Sequence, residues 1–146
     1  MAVPSGWRPA AFNQGWTYCD QVVADELGHR VSEVMASRHR HSSASLWAQR
    51  LQAGQLSCNG EPLLIDAVVA IGDQIRWQRP PWREEAVPDQ WETIHDDGDL
   101  LVINKPSGLP VMPGGGFLLH TLTALLEQRS RERGESLVPK PVHRLG

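Results

Sequence analysis

Ser37–Gly60 reads SRHRHSSASLWAQRLQAGQLSCNG, and the order of residue types in it organises the first half of the chain. Just upstream, Leu27, Val31, Val34 and Met35 fall at i, i+4, i+7 and i+8. That spacing lines apolar side chains along one face of a helix, which ends near the basic run Arg38–His41. Ser42 and Ser43 follow, and a serine at an N-cap accepts a hydrogen bond from an otherwise unpaired amide, worth roughly 1 kcal/mol. A second helix is therefore predicted through Leu46, Trp47, Arg50 and Leu51. It ends at Gly54, because glycine takes the left-handed conformation at a helix C-terminus without steric cost. Gln55–Cys58 predicts a strand, Asn59-Gly60 a tight turn with positive φ angles, and Ala67–Ile71 and Gln74–Trp77 further strands. Before all of these, Trp16–Val23 (WTYCDQVV) is rich in aromatic and β-branched residues and predicts a leading strand.

Next, Arg79–Trp91 (RPPWREEAVPDQW) is dense in proline and charge, which disfavours helix interiors and central strands, so a module boundary is placed there. Beyond it, Glu92–His95 and Leu100–Asn104 are strand candidates joined by Asp96-Asp97-Gly98-Asp99, a sequence suited to a hairpin turn. Lys105-Pro106-Ser107-Gly108 and Pro113-Gly114-Gly115-Gly116 then bracket Leu109–Met112. Leu119, Leu122, Leu125 and Leu126 make a helix stripe whose C-terminal end carries Arg129, Arg131 and Arg133, where basic residues suit the helix dipole. Pro139–Gly146 (PKPVHRLG) starts an extended segment.

The composition, 40% hydrophobic and 21% charged over 146 residues, is that of a folding globular chain rather than a disordered one. No apolar run approaches the roughly 18 residues of a membrane-spanning helix, and the N-terminus lacks a signal-peptide pattern. A cytoplasmic location is the default expectation. Cys19 and Cys58 belong to no C-x-x-C pair, which signals neither zinc nor a disulfide framework. The net charge of −3 argues against a uniformly basic nucleic-acid binder, but its distribution is uneven. Between Gly28 and Gly60, Arg30, Arg38, Arg40 and Arg50 face Glu33 alone; between Arg83 and Asp99, Glu84, Glu85, Asp89, Glu92, Asp96, Asp97 and Asp99 face one arginine. A basic module is followed by an acidic junction.

The helix, basic turn, helix, strand, Asn-Gly, strand order of Ser37–Gly60, closed by Ile71–Trp77 (IGDQIRW), resembles the small S4-type RNA-binding domain. The stretch ETIHDDGDLLVINKPSGLPVMPGGG (Glu92–Gly116), followed by a helix and PVHRLG, resembles the opening of the RluA family of pseudouridine synthases. In that family Asn-Lys-Pro-x-Gly-Leu and His-Arg-Leu-Asp are motifs, and an S4-type domain often lies upstream. The resemblance implies an α+β fold. Residues 1–15 would be an N-terminal tail, 16–78 an S4-type RNA-binding domain, 79–91 a linker, and 92–146 the incomplete start of a mixed α/β catalytic domain.

The same resemblance implies isomerisation of uridine in RNA to its C-glycoside, without a cofactor, by an aspartate acting on a nucleotide taken out of its stack. The matching residues here are His143, Arg144 and Leu145, and then Gly146 at the aspartate's position. Glycine has no side chain to act as nucleophile or general base, so no catalytic residue is assigned and the chain is expected to be inactive alone. Arg144 lies at the RNA-facing edge of the family's cleft. Asn104, Lys105, Pro106 and Gly108 would form a structural element beside it.

For RNA contact the candidates are Arg38, Arg40, His41, Ser43, Arg50 and Asn59, because guanidinium groups pair with phosphate; a merely solvated basic surface is the alternative. Asn59 serves the turn first. His39 and His41 have no Cys, Asp or Glu companion at ligand spacing, so no metal is expected. Gly114–Gly116 lacks the Lys-Ser/Thr of a phosphate-binding loop and reads as a surface loop. Asp96, Asp97 and Asp99 read as turn-capping residues. Trp47 is expected in the core, and Trp77, Trp82 and Trp91 are expected to pack a linker against a domain. Two readings follow: a truncated or degenerate pseudouridine synthase whose partner is ribosomal or transfer RNA, with a protein partner completing its C-terminal half, or a non-enzymatic RNA-binding module whose C-terminal half is a relic or partner-docking surface. Residues 92–146 are short for burying a core, and are expected to be loosely held unless completed by that partner.

Overall fold

A computed structural model of the chain describes residues 4–144. The fold is mixed α+β, in two compact units: Gln14–Pro81, and a second that joins the segment up to Asn13 to the chain from Trp82 onward. In chain order the elements are β1 (Trp7–Arg8), β2 (Ala11–Phe12), β3 (Trp16–Gln21), α1 (Val31–Arg38), α2 (Ala44–Gln52), β4 (Leu56–Cys58), β5 (Glu61–Pro62), β6 (Gln74–Arg79), β7 (Arg83–Glu84), β8 (Val87–Pro88), β9 (Glu92–Asp96), β10 (Leu101–Asn104) and α3 (Leu122–Glu132).

In the Gln14–Pro81 unit, α1 and α2 form one layer and an antiparallel sheet of order β3-β6-β4-β5 forms the other. Strand periodicity sends Ile75 and Trp77 of β6 to the helices while Arg76 and Gln78 stay exposed. The core gathers Val22, Val31, Val34, Met35, Trp47, Leu51, Leu56, Val69, Ile75 and Trp77. Asn59 (φ 51°) and Gly60 (φ 84°) make the turn between β4 and β5, the left-handed pair that an Asn-Gly hairpin needs. Gly15 (φ 76°) is fixed by crowding as well: a Cβ there would sit 2.3 Å from the Arg79 carbonyl oxygen.

Three expectations in this unit differ. Leu27 is not on α1; it is exposed and follows a single 3-10 turn at Ala24–Glu26, and Gly28 (φ 89°) separates it from the helix. Ala67–Ile71 is not a strand but a connecting segment: Val31 N–H donates to the Ala67 carbonyl and Val69 N–H to the His29 carbonyl, with one bridge at Arg30 and Val68. Trp77, expected beside a linker, lies in the core as part of β6.

In the second unit, the segment expected as a tail and the segment expected as a linker pair with one another. β1 lies antiparallel to β8 and β2 to β7, which lets short strands flanked by proline satisfy their backbone groups across a long sequence gap. Glu84, read as one of a run of surface acids, is 1% exposed. A small core holds Val87, Leu109, Leu122 and Leu125, with Trp91, Ile103, Phe117 and Leu126 against it. β9 and β10 form a two-stranded ribbon, and α3 starts at Leu122 rather than Leu119 because Thr121 caps it, accepting from Ala124 N–H at 3.2 Å.

Candidate nucleic-acid interface

The turn between α1 and α2 is built from the capping chemistry of its residues. His39 N–H donates to the Met35 carbonyl as α1 ends, Ser42 N–H to the His39 carbonyl, and Ser43 Oγ accepts from Leu46 N–H at 3.1 Å. Ser43 is thus the N-cap of α2, which ties its side chain to the helix. Arg40 and His41 are exposed between these anchors.

Arg38 is held differently. Its Nε donates to Glu26 Oε2 at 2.7 Å and its Nη2 to Glu26 Oε1 and the Gln21 carbonyl, each at 2.5 Å, while Asp20 Oδ1 lies 3.4 Å from Nη1. The hydrogen bond to Glu26 raises the guanidinium's affinity for its proton, and Arg38 likewise holds the Glu26 carboxyl below its usual range. His39 Nε2 approaches the other oxygen of Asp20 at 2.9 Å.

Arg50, on α2, is half-buried. Its guanidinium carbon sits 4.4 Å from the Trp47 ring centre and 4.3 Å from that of Trp77, and its Nη1 donates to Ser42 Oγ at 3.1 Å. Tyr18 stacks on Trp77 at 5.2 Å. Asn59 Oδ1 accepts from Gln74 N–H at 2.9 Å and its Nδ2 donates to Asp73 at 3.0 Å, so its side chain is engaged with the hairpin.

In the second unit Lys105 Nζ donates to the carbonyls of Pro106 and Leu109, at 3.1 and 2.8 Å, clipping the loop after β10. Asn104 pairs with Glu92 at the end of the ribbon, Pro106 is half-buried, and Gly108 has φ 88°. His143 and Arg144 are exposed; Leu145 and Gly146 lie outside the described residues. Asp96 accepts from Gly98 N–H and Asp97 from the amides of Asp99 and Leu100, the turn-capping arrangement expected of them. Among the described residues no group of three His, Cys, Asp or Glu side chains could hold a metal ion, and no helix is long and apolar enough to cross a membrane.

Glu84 and Arg79 carry no individual role in the sequence reading, and Trp82 is expected there only as a packing residue. Trp82 Nε1 donates to the Gly116 carbonyl at 3.0 Å. Glu84 accepts from Asn13 Nδ2 at 2.8 Å and from the amides of Leu118, Leu119 and His120 at 2.8 to 3.1 Å. Together they hold the loop between the glycines and α3. Arg79 has its guanidinium carbon 5.8 Å from the Trp77 ring centre. The alternation Ile75, Trp77, Arg79 was a legible signal for its side.

No protein-family model matches the chain. Curated relatives do, among them several RNA pseudouridine synthases. An uncharacterized RNA pseudouridine synthase of Synechocystis is 39% identical over 111 residues, 76% of this chain and 37% of that protein. RNA pseudouridine synthase 5 of Arabidopsis thaliana is 35% identical over 143 residues, 92% of this chain and 39% of that protein. Ribosomal large subunit pseudouridine synthase C of Escherichia coli is 28% identical over 137 residues, 85% of this chain and 41% of that protein. The chain belongs to the RNA pseudouridine synthase family. It spans about two fifths of the length of these relatives.

Proposed function

We propose that residues 16–78 are an S4-type RNA-binding module and that the chain engages ribosomal or transfer RNA through the turn between α1 and α2. The observation that carries this is the placement of Arg40 and His41: exposed, on a turn pinned at both ends by helix caps. A guanidinium presented on a rigid turn neutralises phosphate with little ordering cost. Arg50 extends the basic surface along α2. Arg38, engaged by Glu26, Asp20 and the Gln21 carbonyl, acts by holding the end of α1. Ser43 and Asn59 shape the backbone on either side of α2.

Uridine isomerisation is the reaction of the family, and in this chain the motif His143, Arg144, Leu145 is followed by Gly146. A hydrogen atom at that position provides neither a nucleophile nor a base. We take the 146 residues to bind RNA without isomerising it, with Asn104–Gly108 and Arg144 beside the cleft.

RNA binding is tested by fluorescence anisotropy with a labelled, uridine-containing RNA across a salt series. The expected result is an affinity that falls steeply with salt, and for Arg40→Ala a weakening of roughly three- to tenfold with a slope reduced by about 0.7 to 0.9. An affinity that is insensitive to salt and to Arg40→Ala contradicts the reading.

A further inference from the structure

In the Gln14–Pro81 unit, β3 and β6 present a face without carboxylates on the side of the sheet away from α1 and α2. Thr17, Cys19 and Gln21 of β3 stand opposite Gln78, Arg76 and Gln74 of β6. Strand alternation turns these six outward, while Tyr18, Ile75 and Trp77 turn to the helices. Cys19 Sγ donates to Gln74 Oε1 at 3.2 Å across that outer face. Asp20, the acid of β3, stands opposite Ile75 and is held on the helix side by Arg38 and His39. Arg76 is exposed and, among the described residues, makes no ion pair.

Where β3 begins and β6 ends, there is an open cleft of about 490 Å³ lined by Gln14, Gly15, Trp16, Thr17, Gln78 and Arg79. That volume falls in the range of small-ligand sites, about 300 to 1,000 Å³. Trp16 is 56% exposed there. A single exposed apolar side chain is ordinary, but this indole borders a cleft and sits on a fixed backbone. Trp16 is laddered to Arg79, and Gly15 before it (φ 76°) lies so close to the Arg79 carbonyl that no side chain fits. The Gln78 amide and the Thr17 hydroxyl add hydrogen-bond donors and acceptors to the same cleft. Arg76 follows two residues from Gln78 on the same face of β6, about 7 Å away, within the reach of a nucleoside's own phosphate.

Resting on the RNA-binding reading of this unit, we infer that the cleft seats one unpaired RNA nucleotide, its base stacked on Trp16, its base edge hydrogen-bonded by Gln78 and Thr17, and its phosphate paired with Arg76. Each part of the site matches one part of that ligand. An indole offers its face to any base, side-chain groups read the edges of bases splayed out of single strands, and a guanidinium fork takes phosphate oxygens in pairs. The charge is complementary as well: in a chain of net charge −3, this face holds an arginine and no carboxylate. A base held inside a duplex presents no face to the indole, so the site selects single-stranded RNA.

The test measures affinity by anisotropy, over a salt series, for a single-stranded uridine-containing RNA and for the same strand in a duplex. Wild type is compared with Arg40→Ala, Trp16→Ala, Trp16→Phe and Arg76→Gln, with thermal unfolding as the folding control. On the single strand Trp16→Ala is expected to bind roughly five- to thirtyfold more weakly at unchanged salt slope, because stacking releases no counterions. Trp16→Phe should recover most of that loss. Arg76→Gln should lose roughly three- to tenfold, with the slope shallower by about 0.7; it removes a side chain in no ion pair, so it decides the matter if Trp16→Ala fails to fold. On the duplex Trp16→Ala should equal wild type. Trp16→Ala and Arg76→Gln matching wild type on the single strand while Arg40→Ala weakens binding overturns the nucleotide site and leaves RNA binding standing. An equal loss for Trp16→Ala on single strand and duplex also overturns it, making the indole a structural support. Wild type that shows no salt-dependent binding overturns both readings.

Discussion

Arg38 Nε donates to Glu26 Oε2 at 2.7 Å, an ion pair that ties the end of α1 to the 3-10 turn preceding it. Both side chains are mostly buried, at 26% and 15% exposure, so the pair is screened less than a surface bridge. Arg38→Ala is expected to cost on the order of 1–3 kcal/mol, since it leaves Glu26 and Asp20 without their shared cation. A double-mutant cycle with Glu26→Gln, read by urea unfolding, should return a coupling above about 0.5 kcal/mol. Additive losses would show that the two residues act independently.

Asn59 separates a turn role from an RNA role. Asn59→Ala removes the bonds to Gln74 and Asp73 and places alanine at φ 51°, for an expected loss of about 1–3 kcal/mol in unfolding free energy. Below the unfolding transition the RNA salt slope should equal that of wild type. A slope shallower by about one ion would make Asn59 part of a charge-dependent contact.

Glu84 makes the second unit pH-dependent. Burial pushes its carboxyl upward, but the Asn13 amide and the amides of Leu119, His120 and Leu118 outweigh it, and the net position is below the usual carboxylate range. A depressed folded-state value stabilises the fold above the unfolded pKa, about 4.3 for glutamate. That contribution is lost as pH falls through the folded value. Glu84→Gln should therefore be less stable than wild type by about 2–4 kcal/mol near pH 7, with the gap narrowing as pH drops below about 4. Urea unfolding at pH 7 and at pH 3 checks it; a gap that widens in acid reverses the sign and contradicts this account.

The helix-turn-helix and its hairpin were legible because their signals are local. The stripe Val31, Val34, Met35, the Ser43 cap, Gly54 and Asn59-Gly60 each act within a few residues, and the structure uses each where the sequence places it. Leu27 misled because apolar spacing alone does not register Gly28. Ala67–Ile71 has strand composition, but its backbone partners are His29, just before α1, and Val31, the first residue of α1, rather than a neighbouring strand. The pairing of β1 and β2 with β8 and β7 was not legible. It joins two-residue strands across about half of the chain, and Asn13 to Glu84 across 71 positions. Glu84 itself reads as one acid among several; its burial comes from three amides of a loop far along the sequence. For the candidate interface, residue type named Arg38, Arg40 and Arg50 alike, and only the neighbours of each distinguish a guanidinium held by carboxylates from one at the surface or one over two indoles.

The proposal that these 146 residues bind RNA without isomerising it can be tested on one sample. Tritium release from RNA labelled at uridine C5 is followed while anisotropy confirms that the same RNA is bound. Saturable, salt-dependent binding and tritium release indistinguishable from the protein-free control are expected. Release above that control by the purified chain alone would contradict it, and would require a carboxylate other than one at position 146 to perform the chemistry.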